Sequence, residues 1–387
     1  MERSRIAQKR AFSFAIPAFM DGTLGLVQTA LPLLAIRFGA SAWFLGMLGW
    51  TAQTVRLPFC FGSGTLSDKI GRTRVIYPAA GAVVLACIGF ALAKNNTQLL
   101  LLYILIMSAI GAFYPALQAF VGDHSPQGEL RKNLSWFNVG WTVGGSICAL
   151  SAGYLLAAGR LLPFAIGAVM AFIVIQLVFF WSRTPAARNS EAEDAVSQTV
   201  IGPGPLLLIS RMGHFLSFFG LALVKNIFPK LGTDLGMSEG TIGVLVGTTL
   251  VGQAAGIFAS SAGPWWRGKL WPQILAQAMA LAAGLMAFTS RSPLAFGMAF
   301  LVQGIALGIA YTGALYYGMQ ARTNMGRNTG IHESLVAGGS IIGSLAGGAS
   351  AQFISLRTPY LIFAGLSLSA IIASLFYWRL ARDRKAS

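Results

Sequence analysis

Acidic residues are scarce, 12 among 387, and charged residues of either sign make up only 10% of the chain. A soluble globular protein carries about a quarter, so a water-facing domain of this length is excluded. With 55% apolar residues and a mean hydropathy of +0.66, most of the outer surface must be covered by lipid. Cysteine is nearly absent as well. Cys60, Cys87 and Cys148 lie inside apolar stretches with neither a pairing pattern nor metal-ligand spacing, which excludes a disulfide framework and a cysteine-built metal centre. There is no Walker loop and no soluble segment large enough for a nucleotide-binding domain, so gradients must supply any energy. No Ser-His-Asp, metal or paired-carboxylate constellation stands out, and the chain does not read as an enzyme.

What the chain does contain is long apolar runs punctuated by short basic clusters. A window of about 19 residues finds such runs near 11–37, 42–66, 75–93, 98–121, 134–158 and 161–182. A second set covers 204–229, 240–262, 271–290, 294–318, 330–353 and 358–378. Each is long enough, at about 1.5 Å per residue, to cross an apolar core of about 30 Å. The first is too long to be the core of a signal peptide. The reading is an all-α polytopic membrane protein with twelve transmembrane helices. One long polar interruption, with Glu191, Glu193 and Asp194, reads as a linker over 183–203 between six-helix bundles at 1–182 and 204–387.

The 28 Lys and Arg give a net charge of +16 and a pI near 10.3, values that would suit a nucleic-acid binder. Their placement says otherwise. With the amino terminus in the cytoplasm, 19 fall on that side and six on the other, and the remaining three, Arg56, Arg211 and Lys225, lie inside spans. This asymmetry predicts both termini inside, and it explains the basic excess as topology.

The two halves repeat one another. A shift of 197 residues superposes Pro32 on Pro229, Gly39 on Gly236, Ser41 on Ser238, Gly71 on Gly268, Gly111 on Gly308 and Tyr114 on Tyr311. At a shift of 194, Gly144-Gly145-Ser146-Ile147 falls on Gly338-Gly339-Ser340-Ile341, so one short loop deletion separates the two registers. Parallel six-helix repeats are the symmetry of one large class of secondary transporters.

The loop between spans two and three reads Gly64-Thr65-Leu66-Ser67-Asp68-Lys69-Ile70-Gly71-Arg72-Thr73-Arg74. It closely resembles motif A of the major facilitator superfamily, and with the spans, repeats and linker the resemblance covers essentially the whole chain. The resemblance implies two pseudo-symmetric six-helix bundles working by alternating access. It implies that Asp68 faces the start of helix eleven, near Asn328, and that Arg72 faces an acid at the end of helix four, here Asp123, as a cytoplasmic gate. In the second half the matching loop, Gly263 to Lys269, has Trp265 where Asp68 stood, so the second gate lacks its acid and is expected to be the weaker. The resemblance also implies that helices two, five, eight and eleven form the sliding interface between halves. The small-residue rows Gly140/Gly144, Gly243/Gly247, Gly252/Gly256 and Gly339/Gly343/Gly347 fit either that role or ordinary close packing.

Ionisable groups inside spans are site candidates, because each must face protein or water. Asp21 lies about 15 Å into span one by helical rise, near the midplane, and suits a proton or a substrate cation. A structural pair with Arg56 is the competing reading. Arg56 and Arg211 either face the interior or extend to the interface, and Lys225 sits in the outer half of span seven. His214, at mid-depth in span seven, is a proton relay or a packed core residue. His332 and Glu333 are expected to begin span eleven, where Glu333 caps the helix. Asp21, His214 and His332 would lie several turns apart in depth, which argues against a shared metal site. Phe19, Phe113, Tyr114, Phe218 and Tyr311 are candidates for a cavity lining suited to amphipathic organic molecules, or else pack between helices.

The pattern of the drug/proton antiporters is incomplete here. Their helix-four arginine is replaced by Met107, and span five has no Gly-Pro pair. The leading expectation is proton-coupled export of a small amphipathic organic compound with Asp21 as carrier. Uptake of an organic anion against Arg56 and Arg211 is the alternative, and a non-transporting sensor or assembly protein is the alternative of another class. The expected partners are a small-molecule substrate, protons and the inner-membrane bilayer, with no nucleic acid, cofactor or metal, for a monomeric chain.

Overall fold

The computed structural model describes residues 2–126, 128–183, 204–320 and 325–386. The first six helices are α1 (Glu2–Arg37), α2 (Ala42–Ile70), α3 (Arg72–Leu92), α4 (Asn96–His124), α5 (Leu130–Ala158) and α6 (Leu162–Ser182). The seventh, α7 (Pro205–Asp234), passes through a π-helical turn at Leu223–Ile227. Then follow α8 (Glu239–Ser261), α9 (Trp271–Thr289), α10 (Pro293–Gln320), α11 (Met325–Phe353) and α12 (Thr358–Ala386). Eleven of these are long and apolar enough to cross a membrane on composition alone. The exception is α2, where Gln53, Arg56, several glycines and hydroxyl residues dilute the apolar run. The linker expected over 183–203 lies outside the described residues except for Arg183, whose guanidinium sits 4.1 Å over the Phe179 ring.

Two compact units emerge, one from Met1–Ala40 and Thr51–Val196, the other from Ser41–Trp50 and Ser197–Ser387. In the first, α1 packs on α5 and α6, and α3 on α4 and α6. Its core is aromatic: Phe90 meets Phe164 at 5.5 Å between ring centroids, and Trp181 meets Phe12 at 5.7 Å and Phe120 at 5.2 Å. In the second, α8 and α9 pack on α10, and α7 on α10, α11 and α12. Phe228, Phe296 and Phe300 form a buried ring cluster there. The opening turns of α2 group with this second unit rather than with residues 1–182. Gly46 explains it, since a Cβ there would fall 2.6 Å from the Ser344 carbonyl oxygen and 2.7 Å from the Gly348 Cα.

The internal repeat is visible in backbone geometry. Gly39 and Gly236, 197 residues apart, both adopt positive φ (78° and 74°), which glycine tolerates at no steric cost. Each ends a helix with the same pair of bonds, Gly39 N–H to Ile36 C=O at 2.8 Å and Ala40 N–H to Ala35 C=O at 2.9 Å in one, Gly236 N–H to Thr233 C=O at 2.9 Å and Met237 N–H to Gly232 C=O at 3.0 Å in the other. The following serines then start the next helix alike, Ser41 Oγ accepting from Phe44 N–H and Ser238 Oγ from Thr241 N–H, both at 3.2 Å. Gly71 and Gly268 repeat the pattern in the next loops, at φ 102° and 70°.

The glycine rows are used inside each unit. Gly140 and Gly144 of α5 lie against the backbone carbonyls of Phe14 and Ala18 on α1. Gly252 and Gly256 of α8 lie against Leu301 and Ile305 on α10, and Gly339 and Gly343 of α11 against Phe215 and Phe219 on α7. These rows serve close packing within each unit: with no Cβ, the backbones of the paired helices come into contact.

Candidate functional site

In the first unit, Asp21 and Tyr114 are brought together. The Tyr114 hydroxyl donates to the Asp21 carboxylate, joining α1 to α4 at mid-span, and both side chains are half-buried. The Asp21 Cβ lies 3.7 Å from where a Cβ on Gly145 of α5 would stand, so that glycine leaves room for the carboxylate. Arg56 of α2 is close enough to act electrostatically on Tyr114, and its Nη1 contacts Gln53 Oε1 at 3.5 Å. Gly111 of α4 fixes that approach, because a Cβ there would fall 2.6 Å from the Arg56 carbonyl oxygen. The Tyr114 ring meets Phe113 at 5.4 Å and Phe137 at 6.3 Å, both edge-on. Phe113 is fully buried, so it braces Tyr114 rather than presenting a face of its own. Phe19 is half-buried on α1, and its carbonyl accepts the Thr23 hydroxyl at 3.0 Å.

The second unit holds a different cluster. His214 of α7 and His332 of α11 stack with centroids 4.3 Å apart and planes 21° from parallel. Tyr311 of α10 lies 5.7 Å from His214 and 5.1 Å from His332, and Phe218 closes the group at 5.0 Å from His214. One turn below, Arg211 Nη2 donates to Asn328 Oδ1 at 2.8 Å. This overturns the expected separation in depth of His214 and His332. It also removes the capping role of Glu333: α11 begins at Met325, which places His332 and Glu333 about two turns inside the helix. Glu333 and Lys225 are half-buried. Among the described residues no three His, Cys, Asp or Glu side chains converge. Sequence reading missed the histidine stack. Its one signal was the row Gly339/Gly343/Gly347, which marks α11 as lying tight on a neighbour without saying which.

In the loop between α2 and α3, Arg72 Nε donates to Asp123 Oδ2 at 3.0 Å, and its Nη1 donates to Ser67 Oγ at 2.8 Å and to Asp68. Arg72 thus ties the end of α2 to the end of α4. Gly64 has open space around it, and Gly71, at φ 102°, makes the turn that brings Arg72 back onto Asp68. The equivalent loop in the second unit is held by rings. Trp266 Nε1 donates to Ser260 C=O at 2.7 Å, Trp265 Nε1 to Ala259 C=O at 2.9 Å, and the Tyr317 hydroxyl accepts from Gly268 N–H at 3.0 Å. Trp266 packs edge-on against Tyr316 at 4.9 Å, and the Arg267 guanidinium lies 5.1 Å from the Tyr316 ring. Aromatic contacts therefore stand where the first loop has a carboxylate.

Comparison with known proteins agrees with this architecture. The model of the Major Facilitator Superfamily matches residues 11–213 and 211–387. Over 257 residues the chain is 26% identical to the cis,cis-muconate transport protein of Acinetobacter baylyi, covering 61% of this chain and 62% of that one. It is 25% identical to a gallate transporter of Pseudomonas putida, covering 81% and 78%. It is 23% identical to the multidrug resistance protein MdtG of Citrobacter koseri, covering 95% and 93%. The match to the muconate protein thus spans less than two thirds of that relative. Among solved structures, a bacterial homolog of the human lysosomal transporter Spinster, inward-facing and occupied, superposes with a TM-score of 0.72 at 17% identity over 99% of this chain and 97% of that chain.

Proposed function

The chain belongs to the Major Facilitator Superfamily, and from that premise we propose that it couples the movement of a small organic acid to protons, with Asp21 as the proton carrier. It is a multi-pass membrane transporter of small molecules, metabolites or drugs, and not an enzyme. The observation that carries the finer reading is the hydrogen bond from Tyr114 to Asp21 with Arg56 at hand. A carboxylate held by a phenol beside a guanidinium is a site that a proton and an organic anion can both enter. Protonating Asp21 frees the guanidinium and the phenol to hold a substrate carboxylate, and losing the proton restores the internal contacts and expels it. The cationic balance within the spans, Arg56, Arg211 and Lys225 against Asp21 and Glu333, favours an anionic cargo. Two relatives carry the names of organic-acid transporters. On this reading the chain sits in a bacterial inner membrane with both termini cytoplasmic, as the distribution of Lys and Arg argues.

The test uses purified protein in proteoliposomes with gallate or cis,cis-muconate as probe and an imposed proton gradient. Gradient-driven accumulation is expected in the wild type and lost in Asp21→Asn, while probe binding, read as a rise in melting temperature, is retained. Accumulation that survives in Asp21→Asn would overturn the assignment. A second reading, export of a lipophilic cation against protons through the same Asp21, is favoured by the nearly full-length likeness to MdtG. Stabilisation by tetraphenylphosphonium, lost in Asp21→Asn and with none by either acid, would select it.

A further inference from the structure

The histidine stack in the second unit is buried more deeply than packing needs. His214 is 0% exposed and His332 6%, yet none of their four ring nitrogens has a hydrogen-bond partner among the described residues. Buried polar groups are ordinarily satisfied, so four unsatisfied ring nitrogens gathered in one stack call for an explanation beyond packing, such as a proton or a water. Neutral imidazole rings that serve only as packing would be replaced by phenylalanine without loss. Here two of them face one another from α7 and α11, inside a ring of aromatic faces, one helical turn from Arg211.

The groups that meet the stack are few. From α7 there is Arg211, from α11 Glu333 and the Arg211 partner Asn328, and from α10 Tyr311. From α9 and α12, Gln277 and Ser374 bond to each other, and Gln277 Nε2 reaches the α7 backbone at Ile209 rather than the rings; both are neutral. A charged ring at either position would lie over the face of its neutral partner and beside the rings of Tyr311 and Phe218, whose π-electrons offset part of the cost of burying the charge. A second proton would bring two like charges to the 4.3 Å centroid spacing and is disfavoured.

We propose that His214 and His332 form a single shared proton-binding site of the second unit, filled when an anionic substrate engages Arg211. In the filling step one proton passes from water to a ring nitrogen of the stack. The same proton returns to water when the anion leaves, and no other bond is made or broken. The coupling to an anion rests on the function proposed above, but the shared site itself does not.

The experiment separates the two. The chain has three histidines, His124 being the third. Full-length protein in detergent, carrying histidine labelled with carbon-13 at Cε1, is titrated by NMR between about pH 5 and pH 8.5, the range in which imidazole ordinarily changes charge. The His214 and His332 signals are expected to move together in one step, worth one proton for the pair, and either His332→Gln or His214→Gln removes that step while leaving the His124 signal unchanged. Two independent steps, or no titration of either residue, overturn the proposal. Calorimetry with gallate in buffers of different ionisation enthalpy then reads the link to substrate: about one proton fewer is taken up per gallate bound in His332→Gln than in the wild type. A shared step with unchanged proton uptake in that variant leaves the site standing and removes its coupling to an anion.

Discussion

Tyr114 and Tyr311 stand 197 residues apart at equivalent positions of α4 and α10, and each meets an ionisable side chain of the first helix of its own half. Tyr114 donates to Asp21 of α1, and Tyr311 lies tilted to His214 of α7 and edge-on to His332. Duplication has kept the aromatic position and let the ionisable partner diverge. One half carries a carboxylate, the other imidazoles.

The hydroxyl of Tyr114 and the ring of Tyr311 therefore carry separate predictions. Tyr114→Phe removes a hydrogen bond to a charged group, worth about 1.5–3 kcal/mol, and gradient-driven transport is expected to fall about tenfold or more. Tyr311→Ala removes the ring contacts to His214 and His332 and is expected to lower transport as well. Initial rates in proteoliposomes check both, and a Tyr114→Phe rate equal to that of the wild type would show that the Tyr114 hydroxyl has no special role.

The glycine rows make a stability prediction. A Cβ at Gly144 would land on the Ala18 carbonyl, which belongs to backbone and cannot turn aside, so Gly144→Ala should cost about 1–3 kcal/mol. Gly62 of α2 has open space around it, and Gly62→Ala should instead gain about 0.5–1 kcal/mol through the better helix former. Melting temperatures of the two variants in one detergent give the comparison. A neutral Gly144→Ala would mean that the contact between α1 and α5 yields without cost.

Most of the fold was legible because it is written in long apolar runs and a constant repeat. Ser41 and Ser238 begin helices, and Gly39 and Gly236 end them, as a 197-residue register requires. The helix ends were less so. The apolar run of span eleven begins at about residue 330 and the helix is read from near Asn328, but helical backbone continues to Met325, so Glu333 lies about two turns inside it. The pairing of His214 with His332 was illegible for a different reason. In a helix that is apolar all round, hydropathy does not say which face meets which neighbour. The Tyr114 contact to Asp21 was hidden the same way, although both residues had been singled out separately.

At the junction of α1 and α5, Glu129 accepts from Arg10 Nε at 3.2 Å and from Lys132 Nζ at 3.1 Å. Arg10 foremost, and then Lys132, holds its carboxyl below the usual glutamate range. The folded form thus binds this proton less readily than the unfolded chain. The stabilisation is present above the ordinary range and is lost as pH falls through the lowered folded value. The wild type is expected to lose more melting temperature than Glu129→Gln as pH drops from about 5 to 3. Parallel pH profiles would mean that the ion pairs contribute nothing to folding.

The aromatic loop between α8 and α9 was expected to be the weaker gate, and its contacts argue for a firmly held one. Trp266 is 4% exposed, donates to Ser260 C=O, and packs against Tyr316 and Tyr317. None of those contacts depends on a surface charge, whereas Arg72 in the first loop works through Asp68 and Asp123, whose side chains are 60% and 49% exposed. Exposed ion pairs of that kind contribute about 0–1 kcal/mol and weaken with salt. Truncating a buried Trp costs about 3–5 kcal/mol. Trp266→Ala should therefore lower the melting temperature far more than Arg72→Ala, and raising the salt concentration should shrink the Arg72→Ala effect while leaving the Trp266→Ala effect unchanged. Trp266→Phe isolates the indole bond, keeping most of the ring and losing the donor to Ser260, and is expected to fall between Trp266→Ala and the wild type. An equal salt response in the two loops would mean that charge, not ring packing, holds the second one.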